Sequence, residues 1–119
     1  MDDAVSAFRQ YRERMNERIL GEDNRVIKRM FSVDSLAYGG DGPLDRKTRE
    51  LLGLVASLVL RCDDCVKYHL GGCRDAGLER AEIVAAMSIG LVVGGTIVIP
   101  HLRRAVEYLD ALEGAPQVP

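Results

Sequence analysis

The stretch Glu50-Leu-Leu-Gly-Leu-Val-Ala-Ser-Leu-Val-Leu-Arg-Cys62-Asp63-Asp64-Cys65-Val-Lys-Tyr-His69 decides how this chain is read. Its body is apolar and carries a single carboxylate at the start. It ends in a Cys-x-x-Cys whose second cysteine is followed, one helical turn later, by a histidine. Two thiols, an imidazole and a carboxylate are the parts that thiol redox chemistry requires. The candidate catalytic residues are therefore Cys65, Cys62, His69 and Glu50, and the remaining chain is read as their scaffold.

The helices around this stretch follow from caps and periodicity. Asp45 is a suitable N-cap for a helix over residues 46 to about 61. The first turn of that helix is charged and the rest is apolar on every side, which predicts a central position. Cys62 or Asp63 opens a helix to about residue 76, and Gly77 ends it. Residues 78–93 form the next helix, with Ile83, Met87, Ile89 and Leu91 among its buried candidates, and Gly94-Gly95 breaks it. A last helix covers about 96–112, with Pro100 tolerated near its start.

Upstream, Val5, Phe8, Tyr11, Arg12, Met15 and Ile19 recur at spacings of three and four, which marks a helix over residues 3–20 stopped by Gly21. Asp23 or Asn24 caps a second helix over about 25–35, with Val26, Ile27, Met30 and Phe31 on its apolar face. The run Tyr38-Gly-Gly-Asp-Gly-Pro43 reads as a loop. No stretch alternates with period two. The expected fold is all-α, a single-domain bundle of five to six helices. Its expected divisions are an N-terminal helical arm (1–35), a core (36–113) and a frayed tail (114–119).

Composition narrows the function. The 119 residues suffice for one domain. With 16 basic and 18 acidic residues spread among one another, the net charge of −2 gives no reason to expect nucleic acid or an anionic membrane surface as partner. Residues 83–99 carry no charge, but Gly90, Gly94, Gly95 and the following Pro100 favour a buried helix and turn over a membrane span. The three cysteines, one tight pair and one single, do not form a secreted disulfide framework, and the acidic N-terminus is unlike a signal peptide. A reducing cytoplasm is the expected location.

A helix N-terminus lowers a cysteine pKa, because its free N–H groups and dipole stabilise negative charge. The Cys-x-x-Cys spacing lets the sulfurs meet and cycle between dithiol and disulfide. His69, four residues after Cys65, shares its helix face and can take its proton. Glu50 can orient that histidine if the two helices pack antiparallel. Asp63 and Asp64 put negative charge beside the thiols and oppose thiolate formation.

Each residue has a plainer role as well. Cys62, Cys65, His69 and Cys73 could supply four ligands to zinc, although structural zinc sites draw ligand pairs from separate segments. No cofactor or metal is expected on balance. Cys73 reads as a small buried apolar residue, Glu50 as a first-turn acid, and His101 as structural or exposed. A disulfide reductase or redox sensor, or a non-catalytic zinc-binding or structural oligomer, stays open beside other thiol redox enzymes.

At these residues the chain resembles the alkylhydroperoxidase D-like branch of the carboxymuconolactone decarboxylase family. Glu50, an eleven-residue gap, then Cys62-x-x-Cys65-x-x-x-His69 matches that pattern at every spacing. Leu44-Asp-x-Lys-Thr-Arg-Glu-Leu51 and Ala76-Gly77-Leu-x-x-x-Glu82-Ile83 agree on either side, so the likeness covers roughly residues 35–112. The resemblance implies an all-α fold and an antioxidant, peroxide-reducing role. It implies that Cys65 attacks the hydroperoxide, that Cys62 resolves the sulfenic acid to a disulfide, and that Glu50 and His69 relay the proton. It also implies a dithiol electron donor (a lipoyl or thioredoxin-like protein) and a homo-oligomer, a hexamer built as a trimer of dimers. The chain departs from the family in two ways. Asp64 stands where some members carry histidine, and there is one repeat rather than two. The family's lactone decarboxylases lack the cysteine pair, which argues against that activity here.

Overall fold

A computed structural model describes residues 3–114. Six α-helices and one short 3-10 turn follow in order among the described residues, with no strand: α1 (Asp3–Leu20), α2 (Arg25–Tyr38), α3 (Arg46–Val59), α4 (Asp63–Asp75), α5 (Arg80–Gly94), the turn Thr96–Val98, and α6 (Ile99–Leu112). The all-α bundle is as expected. Residues 115–119, most of the expected tail, lie outside the described residues.

Local chemistry sets the helix ends. Asn24 caps α2 by accepting N–H bonds from Val26 at 2.9 Å and Ile27 at 3.1 Å, and Asp45 caps α3 through the Thr48 N–H at 2.8 Å. Glu79 and Glu82 form a reciprocal capping box at the start of α5. Pro100 sits in the first turn of α6, where a missing N–H costs nothing. The α3–α4 turn is the tightest in the chain. Arg61 N–H donates to Leu58 O and Cys62 N–H to Ser57 O, each at 3.0 Å, while Arg61 takes φ 62°. This is a Schellman closure with arginine where glycine is usual. It ends α3 and starts α4 within three residues.

The core gathers Leu54 and Leu58 of α3, Val66, Leu70 and Cys73 of α4, Ile83 and Met87 of α5, and Ala105, Tyr108 and Leu109 of α6. Helix α1 docks on it through Val5 and Phe8, whose ring meets Tyr108 edge-on with centroids 5.8 Å apart. Arg80 ties α5 to the end of α6 through Asp110 at 2.8 Å and Glu113 at 2.6 Å.

Several local expectations change. Helix α2 continues past residue 35 to Tyr38, because nothing before Gly39 breaks it. None of its residues is fully buried, and Val26 and Met30, assigned to its apolar face, are exposed while Ile27 and Phe31 turn inward. Helix α3 is not covered on all sides, since Leu52 faces outward, as does Leu60 at its C-terminal cap. Ile89 of α5 is 61% exposed rather than buried. Apolar residues outnumber the inward positions that a chain this short can offer. No described helix is long and apolar enough to cross a membrane.

Candidate redox site

Helices α3 and α4 run antiparallel. Glu50, near the start of α3, lies against Gly72 late in α4, and Gly53 lies against His69 earlier in α4. That register brings Glu50 and His69 together. His69 Nδ1 stands 2.9 Å from Glu50 Oε1, with the two residues only 6% and 4% exposed. A buried carboxylate without a partner is costly, and the imidazole removes that cost. The pairing that required tertiary packing is thus present.

Two glycines make the approach possible. A Cβ at Gly53 would lie 2.6 Å from His69 Cε1, and 2.8 Å from both His69 Nε2 and the Tyr38 hydroxyl. A Cβ at Gly72 would lie 2.6 Å from the Glu50 carboxyl carbon and 2.8 Å from its Oε2. Glycine inside a helix costs roughly 0.5–1 kcal/mol against alanine. Here it lets a side chain of the facing helix sit against the backbone. Sequence reasoning missed both. The signal available was glycine inside two otherwise regular helices, Gly53 in α3 and the pair Gly71-Gly72 in α4, which points to close approach.

It also missed Tyr38. Placed by the extension of α2, its ring stacks obliquely on His69 with centroids 4.7 Å apart. Burial, then the nearby Asp34, Glu50 and Tyr68, raise its phenol pKa above the ordinary value, so the hydroxyl stays neutral. Tyr68 meets His69 edge-on with centroids 5.1 Å apart, and the Arg12 guanidinium lies 4.1 Å over the Tyr68 ring.

Cys62 and Cys65 form a disulfide, with Cα atoms 5.3 Å apart. Cys62 is itself the N-cap of α4, its sulfur facing the Cys65 N–H at 3.4 Å. Cys65 is exposed and Cys62 half-buried. Cys65 and His69 both face a cavity of about 490 Å³. Its other walls are Phe8, Tyr11, Met15 and Ile19 of α1 and Met30, Phe31 and Asp34 of α2. A second cavity of about 560 Å³, lined by Arg9, Arg12, Arg46 and Lys67, opens onto Glu50 and Gly72. Phe8, Arg12, Asn16 and Tyr68 belong to both walls and separate the two spaces.

Cys73 does not join the pair. It is fully buried in the core, and burial, helped by Glu50, pushes its thiol up to about 12. Among the described residues no group of three or more His, Cys, Asp or Glu side chains is placed to hold a metal ion. His101 and Asp63, read separately in the sequence, are partners. His101 Nδ1 lies 2.8 Å from Asp63 Oδ1, and Arg104 Nε donates to Asp63 Oδ2 at 2.8 Å.

Two crystal structures of one Thermotoga maritima protein superpose with TM-scores of 0.87 and 0.86 at 52% and 51% identity. Each covers 91% of this chain, and the match spans 94% and 91% of theirs. That protein is described as a carboxymuconolactone decarboxylase family protein with a suggested involvement in antioxidative response. A Legionella pneumophila protein of the same family, in its apo form, shares the fold at TM-score 0.77 and 24% identity, over 94% of this chain and 96% of its own. A Paracoccus denitrificans protein known only as uncharacterized protein 4 of the cox locus is 28% identical over 99 residues, 81% of this chain and 89% of its own length. The family pattern itself matches residues 25–108, from the start of α2 to the middle of α6. The chain belongs to the carboxymuconolactone decarboxylase family.

Proposed function

We propose that this chain is a thiol-dependent peroxidase of the alkylhydroperoxidase type. The observation that carries the reading is the common wall of one apolar cavity, where exposed Cys65 of the cysteine pair adjoins His69, itself backed by buried Glu50. In the reduced chain His69 takes the Cys65 proton and Glu50 stabilises the resulting imidazolium. The Cys65 thiolate attacks the outer oxygen of the hydroperoxide. The O–O bond breaks, Cys65 becomes a sulfenic acid, and the alkoxide leaves as an alcohol with the relayed proton. Cys62 then attacks the Cys65 sulfur, an S–S bond forms, and water is released. A dithiol donor returns two electrons and two protons by thiol–disulfide exchange. The polar cavity behind Glu50 gives protons a way to solvent.

Cys65 is the attacking thiol because it is the exposed one and lines the cavity. Cys62, set in the turn, is the resolving one. The exposed apolar residues Leu52 of α3 and Leu60 just after it, with Ile89, Val92 and Val93 of α5, support assembly into a homo-oligomer, for which a hexamer is the expected form.

The test is thiol loss in the reduced chain on addition of an organic hydroperoxide, with Cys65→Ser and Cys62→Ser alongside. The expected result is rapid loss of two thiols, no reaction in Cys65→Ser, and sulfenic acid trapped on Cys65 in Cys62→Ser. A rate no higher than that of a free thiol would overturn the reading.

A further inference from the structure

Asp63 follows Cys62 directly and occupies the first position of α4. An unpaired carboxylate there would oppose a thiolate on either cysteine, which makes its presence in a redox turn a problem to be explained. Helix α6 supplies the answer. His101 and Arg104 lie one turn apart on it, and each takes one oxygen of Asp63 at 2.8 Å. Arg104 Nη2 stands 3.1 Å from His101 Nδ1, but that nitrogen gives its proton to Asp63, so the two donors do not bond each other and the clasp is held through the Asp63 carboxylate.

We propose that His101 and Arg104 are positioning residues for the redox pair, which cancel the Asp63 charge and so preserve the electropositive N-terminus of α4 for a thiolate. The inference rests on the reading of Cys62 and Cys65 as a redox pair. The other charges near the pair are differently engaged. Asp64 lines the Cys65 cavity but is exposed to solvent, which screens it. Glu50 of α3 is bound to His69, and Arg12 of α1 and Asp34 of α2 face the same cavity with opposite sign. The clasp is what distinguishes Asp63 from an ordinary first-turn acid. The lowered pKa of Asp63 accords with it. Burial pushes that carboxyl up, and the hydrogen bonds from His101 and Arg104 outweigh it.

The experiment is the pH dependence of alkylation of the reduced chain by iodoacetamide, resolved by cysteine. Arg104→Ala and His101→Ala should raise the pKa of the reactive thiol by about half a unit, a roughly threefold slower alkylation near neutrality. Asp63→Asn should lower it, although it breaks the same clasp. Adding Asp63→Asn to the double alanine variant should return it to near the wild-type value, and Arg104→Lys should stay close to wild type. A purely structural clasp predicts that Asp63→Asn moves the thiol in the same direction as Arg104→Ala. That result, or no shift in any variant, would overturn the inference. The titration does not depend on turnover. Unshifted thiols in a chain that consumes hydroperoxide would remove this inference and leave the peroxidase reading. The predicted shifts in a chain inert to hydroperoxide would do the reverse.

Discussion

The α3–α4 hairpin and the α1–α2 arm meet at the same cavity but are built differently. The hairpin interlocks. Glu50, Gly53, Leu54, Ser57 and Leu58 of α3 and Val66, His69, Leu70 and Cys73 of α4 are all buried. Its paired Glu50 and His69 are set into notches left by glycines of the facing helix. The arm only leans. Helix α2 has no fully buried residue, and Val26 and Leu36 are 75% and 77% exposed. On the peroxidase reading proposed above, the difference separates two tasks. Proton chemistry needs fixed distances and a dry setting, which two closely packed helices supply. Admission of a substrate needs an apolar wall that can adjust, and a lightly held helix supplies that.

The comparison breaks most severely at the notches. Gly53→Ala would drive a methyl group into the His69 ring and the Tyr38 hydroxyl, and Gly72→Ala into the Glu50 carboxylate. The obstacles are a buried ring and a buried acid paired at 2.9 Å, so either can retreat toward its cavity only by breaking the pair. Each variant should lose about 1–3 kcal/mol of stability to overpacking. The alanine gain in helix propensity offsets only part of this. Each should also lose at least tenfold in peroxide-dependent thiol oxidation, since the relay no longer closes. Denaturant unfolding and hydroperoxide-driven thiol loss measure the two effects. Wild-type activity in both variants would mean that the Glu50–His69 contact is incidental.

An intermediate effect should come from the arm. Met15 and Phe31 line the cavity far along the chain from the cysteines. Trimming both to alanine should raise KM for a bulky organic hydroperoxide about three- to tenfold. The rate with hydrogen peroxide, which needs no apolar wall, should hardly change. Stability should fall less than in the glycine variants, because α2 buries little. Equal losses with both peroxides would assign the arm to the relay rather than to selection.

The same contrast explains how much could be read from the sequence. Caps and glycine stops announced the helices, because those signals are local: Asp45, Asn24 and Gly77 act within one turn of their own position. The candidate set Glu50, Cys62, Cys65 and His69 was legible because its spacing runs through α3, the short turn after it and the first half of α4. Tyr38 was assigned to a loop, because Gly39-Gly40 masked the last turn of α2. Its place against His69 depends on helix-to-helix geometry, which no local pattern encodes. His101 and Arg104 were invisible for the same reason, since Asp63 is 38 and 41 residues away. The outward turn of Ile89 could not be read from an almost uniformly apolar helix, which shows no preferred face.

The smallest effect on the redox site is expected at Cys73, and it sharpens the boundary of the hairpin's chemistry. The thiol is buried among apolar side chains beside the Glu50 carboxylate, and both keep it protonated up to about 12. Cys73→Ala should therefore leave thiol oxidation at Cys62 and Cys65 unchanged. It should cost about 1–2 kcal/mol for the apolar volume removed. Its trace lies at high pH. An unfolded cysteine ionises near about 8.5. A folded pKa raised above that gives stability that is whole below the unfolded value and is lost as pH rises toward the folded one. Between about 9 and 12 the oxidised wild-type chain should lose stability to this group with a slope approaching about 1.4 kcal/mol per pH unit. Cys73→Ala should lack that component, so the two unfolding curves should converge as pH rises. Parallel curves would mean that Cys73 ionises as readily in the folded chain as in the unfolded one. It would then be a third accessible thiol, and the hairpin's chemistry would have to be redrawn to include it.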